Sequence, residues 1–342
     1  MSMTSMSSLL IAWVAGGLLL LAIVAFGLAR WGDRRFFLAT QVLTRRLEAS
    51  RAAVPVARYH VSELRGLPAP VQRYFQRALK PGQRIVASVE VSNVGTFNMS
   101  RSGQRWRPFN SHQSVVMRRP GFVWSARISL FCGVTAFVHD AYVAGQGILR
   151  PTLMGLFALG RQEGGDALDK AELIRYLAEA AWYPTALLPS QGVSWSAVDE
   201  RSAHATLRDG RSAVTLLFRF NDHGMIESAC ADARGAVERG ILTLREWEGR
   251  WSNYRRRDGM RIPTSGEASW VVHGNRMPYW RGAVTSLTYG FVETGTAPGA
   301  RMASAAPSRT AIAVSARWRT DRKSCAHQAG HMDCEVSDET HP

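Results

Sequence analysis

Of the 42 basic residues in this chain of 342, only three are lysines: Lys80, Lys170 and Lys323. Arginine carries the rest of a formal net charge of +15. Such a bias follows from GC-rich codon usage as readily as from an anionic partner. A nucleic-acid binder gathers its charge into one stripe or face. Here the local runs, among them Arg118-Arg119 and Arg255-Arg256-Arg257, are short and scattered along the chain. That scatter argues against nucleic acid and leaves an anionic membrane surface as the charged partner to consider. Cysteine is scarce too, with Cys132, Cys230, Cys325 and Cys334 the whole set. Cys132 and Cys230 fall in strand-like segments far apart in sequence and are expected as buried free thiols, so cysteine usage does not fix the redox compartment.

Catalytic signatures are also missing. There is no G-x-S-x-G elbow, no glycine-rich loop between a strand and a helix and no self-similar repeat. His139-Asp140 is a lone dipeptide and His204 sits in a strand, both ordinary placements. Two weak constellations survive. Glu172 and Glu179 flank Arg175 on one helical stripe. That spacing suits a carboxylate pair of an inverting hydrolase, but the expected arrangement is an Arg bridging two glutamates on a solvated face. In the tail, "CAHQAGHMDC" offers Cys325, His327, His331 and Cys334, the donor types of tetrahedral zinc, at a spacing that matches no zinc module. No cofactor is expected.

What is present begins with "LLIAWVAGGLLLLAIVAFGLA", residues 9–29, a run without charge. It is long enough to cross a hydrocarbon layer about 30 Å thick. Trp13 and Trp31 suit its two interfaces. Gly27 and Ala29 would allow cleavage as a signal peptide, but the run is long for that role and no Lys or Arg precedes it. An uncleaved anchor is therefore expected. Arg30, Arg34, Arg35, Arg45 and Arg46 follow the span, which by the positive-inside rule favours a cytoplasmic domain. Residues 33–52 continue as an amphipathic helix with Phe36, Thr40, Leu43 and Leu47 on one face, expected along the membrane surface.

"RGLPAPVQRYFQRALKPG" reads as a helix with Pro70 in the first turn and Val71, Tyr74, Phe75 and Ala78 on one face. After Gly82 the period changes to two. Roughly ten strands follow, at 85–92, 105–108, 113–118, 122–130 and onward, with Asp209-Gly210, "NDHG", Asp258-Gly259 and Gly274-Asn275 as turns. The expected fold class is α+β: one antiparallel sheet with helices, preceded by a transmembrane helix. The expected divisions are a tail and anchor (1–29), a juxtamembrane amphipathic helix and linker (30–62), one globular domain (63–292) with a helical insertion at 150–190, and a disordered tail (293–342).

Eight of the eleven tryptophans lie between Trp106 and Trp280. Either both faces of the sheet are covered or one face curls around an apolar cavity. The stretch "DKAELIRYLAEAAWYPTALLPSQGVSW", residues 169–195, opens as a helix with Asp169 and Glu172 at capping-box spacing. It ends as a loop stiffened by Pro184 and Pro189. Trp182, Tyr183, Leu187 and Leu188 are too apolar for a free loop. They close the core or line a ligand mouth, and Trp124 and Tyr176 join them as candidate ligand residues.

"GLPAPVQRYFQRAL" (66–79), "RPGFVWSARISL" (119–130), "DAYVAGQGIL" (140–149), "AELIRYLAEAAWYPTALLPSQGVSW" (171–195) and "WSNYRRRDGMRIP" (251–263) resemble the ordered signatures of an uncharacterised bacterial family of membrane-anchored proteins. That resemblance spans about 55–291 and implies no activity. More distantly, "RPGFVW" resembles the lipoprotein-carrier half-barrels of the bacterial cell envelope. That likeness implies a strongly curved antiparallel sheet, half-barrel-like, wrapping helices and holding an acyl chain in an aromatic cavity, and an extracytoplasmic domain.

Overall fold

The computed structural model describes residues 3–54, 56–100, 103–131, 133–238 and 241–292. Cys132, the candidate metal donors Cys325, His327, His331 and Cys334, and the expected tail 293–342 lie outside them. Helix α1 (Met3–Ala49) is one unbroken rod. The expected span lies inside it, and its apolar side chains from Ile11 to Leu28 are unburied. Length and composition are those of a single-pass anchor or a signal sequence.

Beyond Trp31 the same helix acquires a buried face. Leu43 and Leu47 pack with Val116, Val123, Ala141, Val143 and Ile148 in a small separate core, and Phe36 lies against Phe137 with ring centroids 4.8 Å apart. The expected apolar face is thus real, but it covers the outer face of the sheet rather than lying along the bilayer. Burial against a partner removes the same apolar area from water as lipid would.

Among the described residues sixteen short and long strands follow: β1 (Val86–Asn98), β2 (Trp106–Val116), β3 (Gly121–Phe131), β4 (Val134–Val143), β5 (Gln146–Leu153), β6 (Phe157–Ala158), β7 (Gln162–Glu163), β8 (Val193–Asp199), β9 (Ser202–Asp209), β10 (Ser212–Phe220), β11 (Ile226–Glu238), β12 (Ile241–Ser252), β13 (Arg255–Arg257), β14 (Met260–Ile262), β15 (Ser265–Val272) and β16 (Asn275–Phe291). Helix α2 (Ala69–Ala78) precedes them, and α3 (Asp166–Glu179) interrupts them. Fourteen strands form one antiparallel sheet in the order β6-β5-β4-β3-β2-β1-β16-β15-β12-β11-β10-β9-β8, with β7 beside β5 and the β13–β14 hairpin apart.

The sheet is strongly curved but not closed. Strands β4 and β9 stand third and twelfth in that order, yet Tyr142 Oη on β4 donates to Asp209 Oδ2 on β9 at 3.0 Å. Only a sheet curled most of the way round allows that bond. Helix α3 fills the concave side, touching β4 and β5 on one flank and β10, β11 and β12 on the other. Helix α2 buries Val71, Tyr74, Phe75 and Ala78, the face its sequence marks out.

Three local readings are corrected. The two short strands expected at 105–118 are one, β2, because the alternation continues through Asn110 to Gln113. The insertion is not helical from residue 150: β5 runs to Leu153, and β6 and β7 precede α3. Asp169 is not the helix cap. The helix starts three residues earlier after Gly165, and the Asp169 carboxylate instead accepts from the Gly147 amide at 2.8 Å and Arg211 at 3.2 Å.

Candidate functional site

One face of α3 carries charge into the sheet. Gln113, Trp124 and Asp140 are cross-strand neighbours on β2, β3 and β4, and Arg175 lands on all three. Its Nη1 meets Asp140 Oδ2 at 2.6 Å, its Nε meets Glu179 Oε1 at 2.7 Å, and its Nη2 donates to Gln113 Oε1 at 3.0 Å. Gln113 Nε2 closes the ring by donating to Glu179 Oε2 at 2.6 Å. The guanidinium lies 4.8 Å from the Phe122 ring and 4.9 Å from the Trp124 ring. Burial alone would lower its pKa, but the carboxylates of Glu179, Asp140 and Glu172 outweigh it and raise it.

A second buried arginine faces the first. Arg234 on β11 donates through Nε to the Ala171 carbonyl at 3.1 Å and through Nη1 to Tyr279 Oη at 3.2 Å. It sits 5.2 Å from the Trp247 ring and 5.7 Å from the Trp270 ring. Glu172 Oε1 is 3.7 Å from its Nη2. Burial, and then the Asp140 carboxylate, push the Glu172 carboxyl well above the usual range. As ionised groups, Glu172 Oε2 and Asp140 Oδ1 are buried with no hydrogen-bond donor. A proton kept on Glu172 supplies one.

Beside this floor rises an aromatic wall. Phe109 contacts Trp124 (6.2 Å between centroids) and Trp280 (5.8 Å). Trp280 continues to Trp182 (6.4 Å). Phe97 contacts Tyr279 (5.7 Å), which stacks on Trp270 (5.4 Å). Phe97, Trp270, Tyr279 and Trp280 are only half buried, although they pack on the main core. Glycine makes the wall lie flat. Gly95, Gly282 and Gly266 form a cross-strand row, and a Cβ on Gly282 would collide with the Trp280 ring.

The expected site residues divide. Trp124, Trp182, Glu172 and Glu179 come together around α3 and the wall. Neither glutamate faces solvent, so the stripe expected on a solvated face is turned inward. Glu179 is held by Arg175 and Gln113, and the Glu172 side chain is 5% exposed. Tyr176, Tyr183, Leu187 and Leu188 sit behind the wall in the main core. Tyr183 Oη donates to the Tyr176 carbonyl at 3.0 Å, and Leu187 and Leu188 are fully buried. A shallow apolar hollow of about 410 Å³ lies beside Pro189, lined by Leu67, Pro189, Gly192, Val193, Ser194 and Trp195. Among the described residues no cluster of His, Cys, Asp and Glu is placed to hold a metal. Sequence reading missed Asp140, Arg234, Trp270 and Tyr279. The Trp density was their signal, but which tryptophans share a face depends on register.

Comparison with known proteins gives a family and one distant likeness. Residues 65–289 match the family of unknown function DUF6920, and the chain belongs to that family. A solved LolA superfamily protein from Nitrosomonas europaea aligns with 67% of this chain and 96% of its own, at 7% identity and a TM-score of 0.28. No curated protein matches the chain.

Proposed function

We propose that this member of the DUF6920 family is a membrane-tethered protein that binds an apolar or lipid-like ligand on the concave side of its sheet. The observation that supports it is the half-exposed wall of Phe97, Trp270, Tyr279 and Trp280. Apolar sites with a few convergent polar groups are the usual form of a small-molecule pocket. Tryptophan and tyrosine contribute large contact areas with little conformational freedom to lose. Beside them, the half-buried Tyr279 hydroxyl, on which Arg234 and Trp247 Nε1 converge, supplies a polar group that orients an amphiphile's head. Trp182 Nε1, buried without an acceptor, is a further donor at the wall.

Hydrolysis by Glu172 and Glu179 finds less support, because both carboxyls are engaged by arginines and closed to substrate. Native mass spectrometry of the full chain released from detergent tests the binding reading. It should retain one lipid or fatty acid, lost in Trp280→Ala. A bare mass for the parent chain contradicts the reading. On the same reading α1 is the anchor and the domain is extracytoplasmic, as the "RPGFVW" resemblance implies and against the pull of the arginines at 30–46. Protease digestion of the domain in spheroplasts, with a cytoplasmic marker intact, is the expected outcome. Protection until lysis would reverse the orientation.

A further inference from the structure

We infer that one end of the sheet, the end beside Gly32, is seated in the surface of the same bilayer that α1 enters. The contact that fixes this is short. The backbone of α1 at Gly32 meets the backbone of Met154 and Gly155 so closely that a side chain at either glycine would collide. Asp33 takes Arg127 of β3 at 3.4 Å. At a rise of about 1.5 Å per residue, Gly32 is only about 5 Å beyond Ala29, the last residue of the apolar run. The β5–β6 turn is therefore held at the depth where α1 leaves the hydrocarbon.

The neighbouring residues match that depth. Phe157 on β6 and Leu159 after it are 65% and 58% exposed, and Phe131 at the end of β3 is 63% exposed. The ladder places Phe131 opposite Val134. The Thr135 carbonyl accepts from Met154, which ties the two hairpin ends together. Three large apolar side chains left in water at one corner are a docking surface rather than scattered exposure. Trp31, Arg34 and Arg35 on α1 and Arg161 after β6 are exposed around them. Aromatic and arginine side chains are the residue types favoured at a membrane interface with anionic headgroups. The surface is continuous with the unburied apolar length of α1, and that continuity names the occupant as lipid.

This inference rests on the anchor part of the proposed function and needs no ligand on the concave wall. It is tested with the full chain reconstituted in vesicles of phosphatidylcholine and phosphatidylglycerol. A benzophenone photocrosslinker is placed in turn at positions 20, 61, 131 and 157. Position 20 lies in the expected span, and Val61 is an exposed apolar residue on the short helical turn Val61–Leu64. Lipid adducts, read as the mass shift of one phospholipid, are expected at 20, 131 and 157 and not at 61. Adducts at 20 without adducts at 131 or 157 overturn the seating and leave the anchor intact. No adduct at 20 overturns both. Equal labelling at 61 also overturns the seating, since contact would then be nonspecific.

Discussion

His139 offers a prediction whose size follows from its surroundings. It sits on the outer face of β4, 4% exposed, beneath α1. Its ring stacks on Phe36 at 4.2 Å. Its Nε2 lies 2.7 Å from Thr40 Oγ1, which itself donates to the Phe36 carbonyl, so the imidazole is the donor to Thr40. Its cross-strand neighbour on β5 is Arg150, held in turn by Glu163 on β7. Burial first, and the Arg150 charge second, lower the His139 pKa from 6.5 to about 4. The unfolded chain therefore takes up this proton as pH falls below 6.5, while the native chain resists until about 4. Stability linked to the group is complete above 6.5 and lost as pH falls towards 4. At about 1.4 kcal/mol per pH unit, the loss reaches about 2.5 kcal/mol by pH 4.5. His139→Gln keeps a donor for Thr40 and removes the titration. Urea unfolding of both chains in mild detergent, at pH 7 and pH 4.5, followed by tryptophan fluorescence, measures the difference. The parent should lose about 2.5 kcal/mol more than the variant over that interval. Equal losses would refute the claim that α1 seals this ring.

Glu172 behaves in the opposite sense. Its raised carboxyl holds a proton that the unfolded chain releases above its ordinary value near 4.5, so its contribution falls as pH rises. Glu172→Gln should flatten that decline and be at least as stable as the parent at pH 8; a large destabilisation at pH 8 would contradict it. Arg175→Met strands the buried Asp140 and Glu179 carboxylates and should cost about 3–5 kcal/mol, whereas Arg201→Ala, whose ion pair with Asp222 is exposed on both sides, should cost no more than about 1 kcal/mol. Comparable costs in unfolding titrations would show that the cluster is not a brace. Leu188→Ala removes a fully buried core side chain and should cost about 2–5 kcal/mol without changing ligand uptake; a small cost with altered uptake would move the ligand into the core loop.

Much of the architecture is legible in the sequence because periodicity and turn chemistry are local. Val71, Tyr74, Phe75 and Ala78 announce the buried face of α2, and Asp209-Gly210 marks the β9–β10 turn. The apolar run at 9–29 needs only its length. The site is less legible because it is assembled by curl. Arg175 and Arg234 lie on α3 and β11, and they share one acidic cluster only because the sheet brings β2–β4 and β11–β12 to opposite sides of α3. The stripe Glu172, Arg175 and Glu179 looks the same on paper whether it faces water or protein. Phe36, Leu43 and Leu47 likewise suit a membrane surface or a sheet. Only Val116, Val123 and Ile148, which lie opposite them in the fold, decide the matter.

The central claim is that the Phe97, Trp270, Tyr279 and Trp280 wall receives an apolar ligand. Quenching of tryptophan fluorescence by a fatty acid brominated along its acyl chain tests it most directly. The full chain in detergent is compared with the double variant Trp270→Leu, Trp280→Leu. The parent should show saturable quenching, the variant should lose the saturable part, and a residual linear part should remain from Trp13 and Trp31 in the micelle. Quenching that is linear throughout, or saturable to the same extent in both chains, would contradict it.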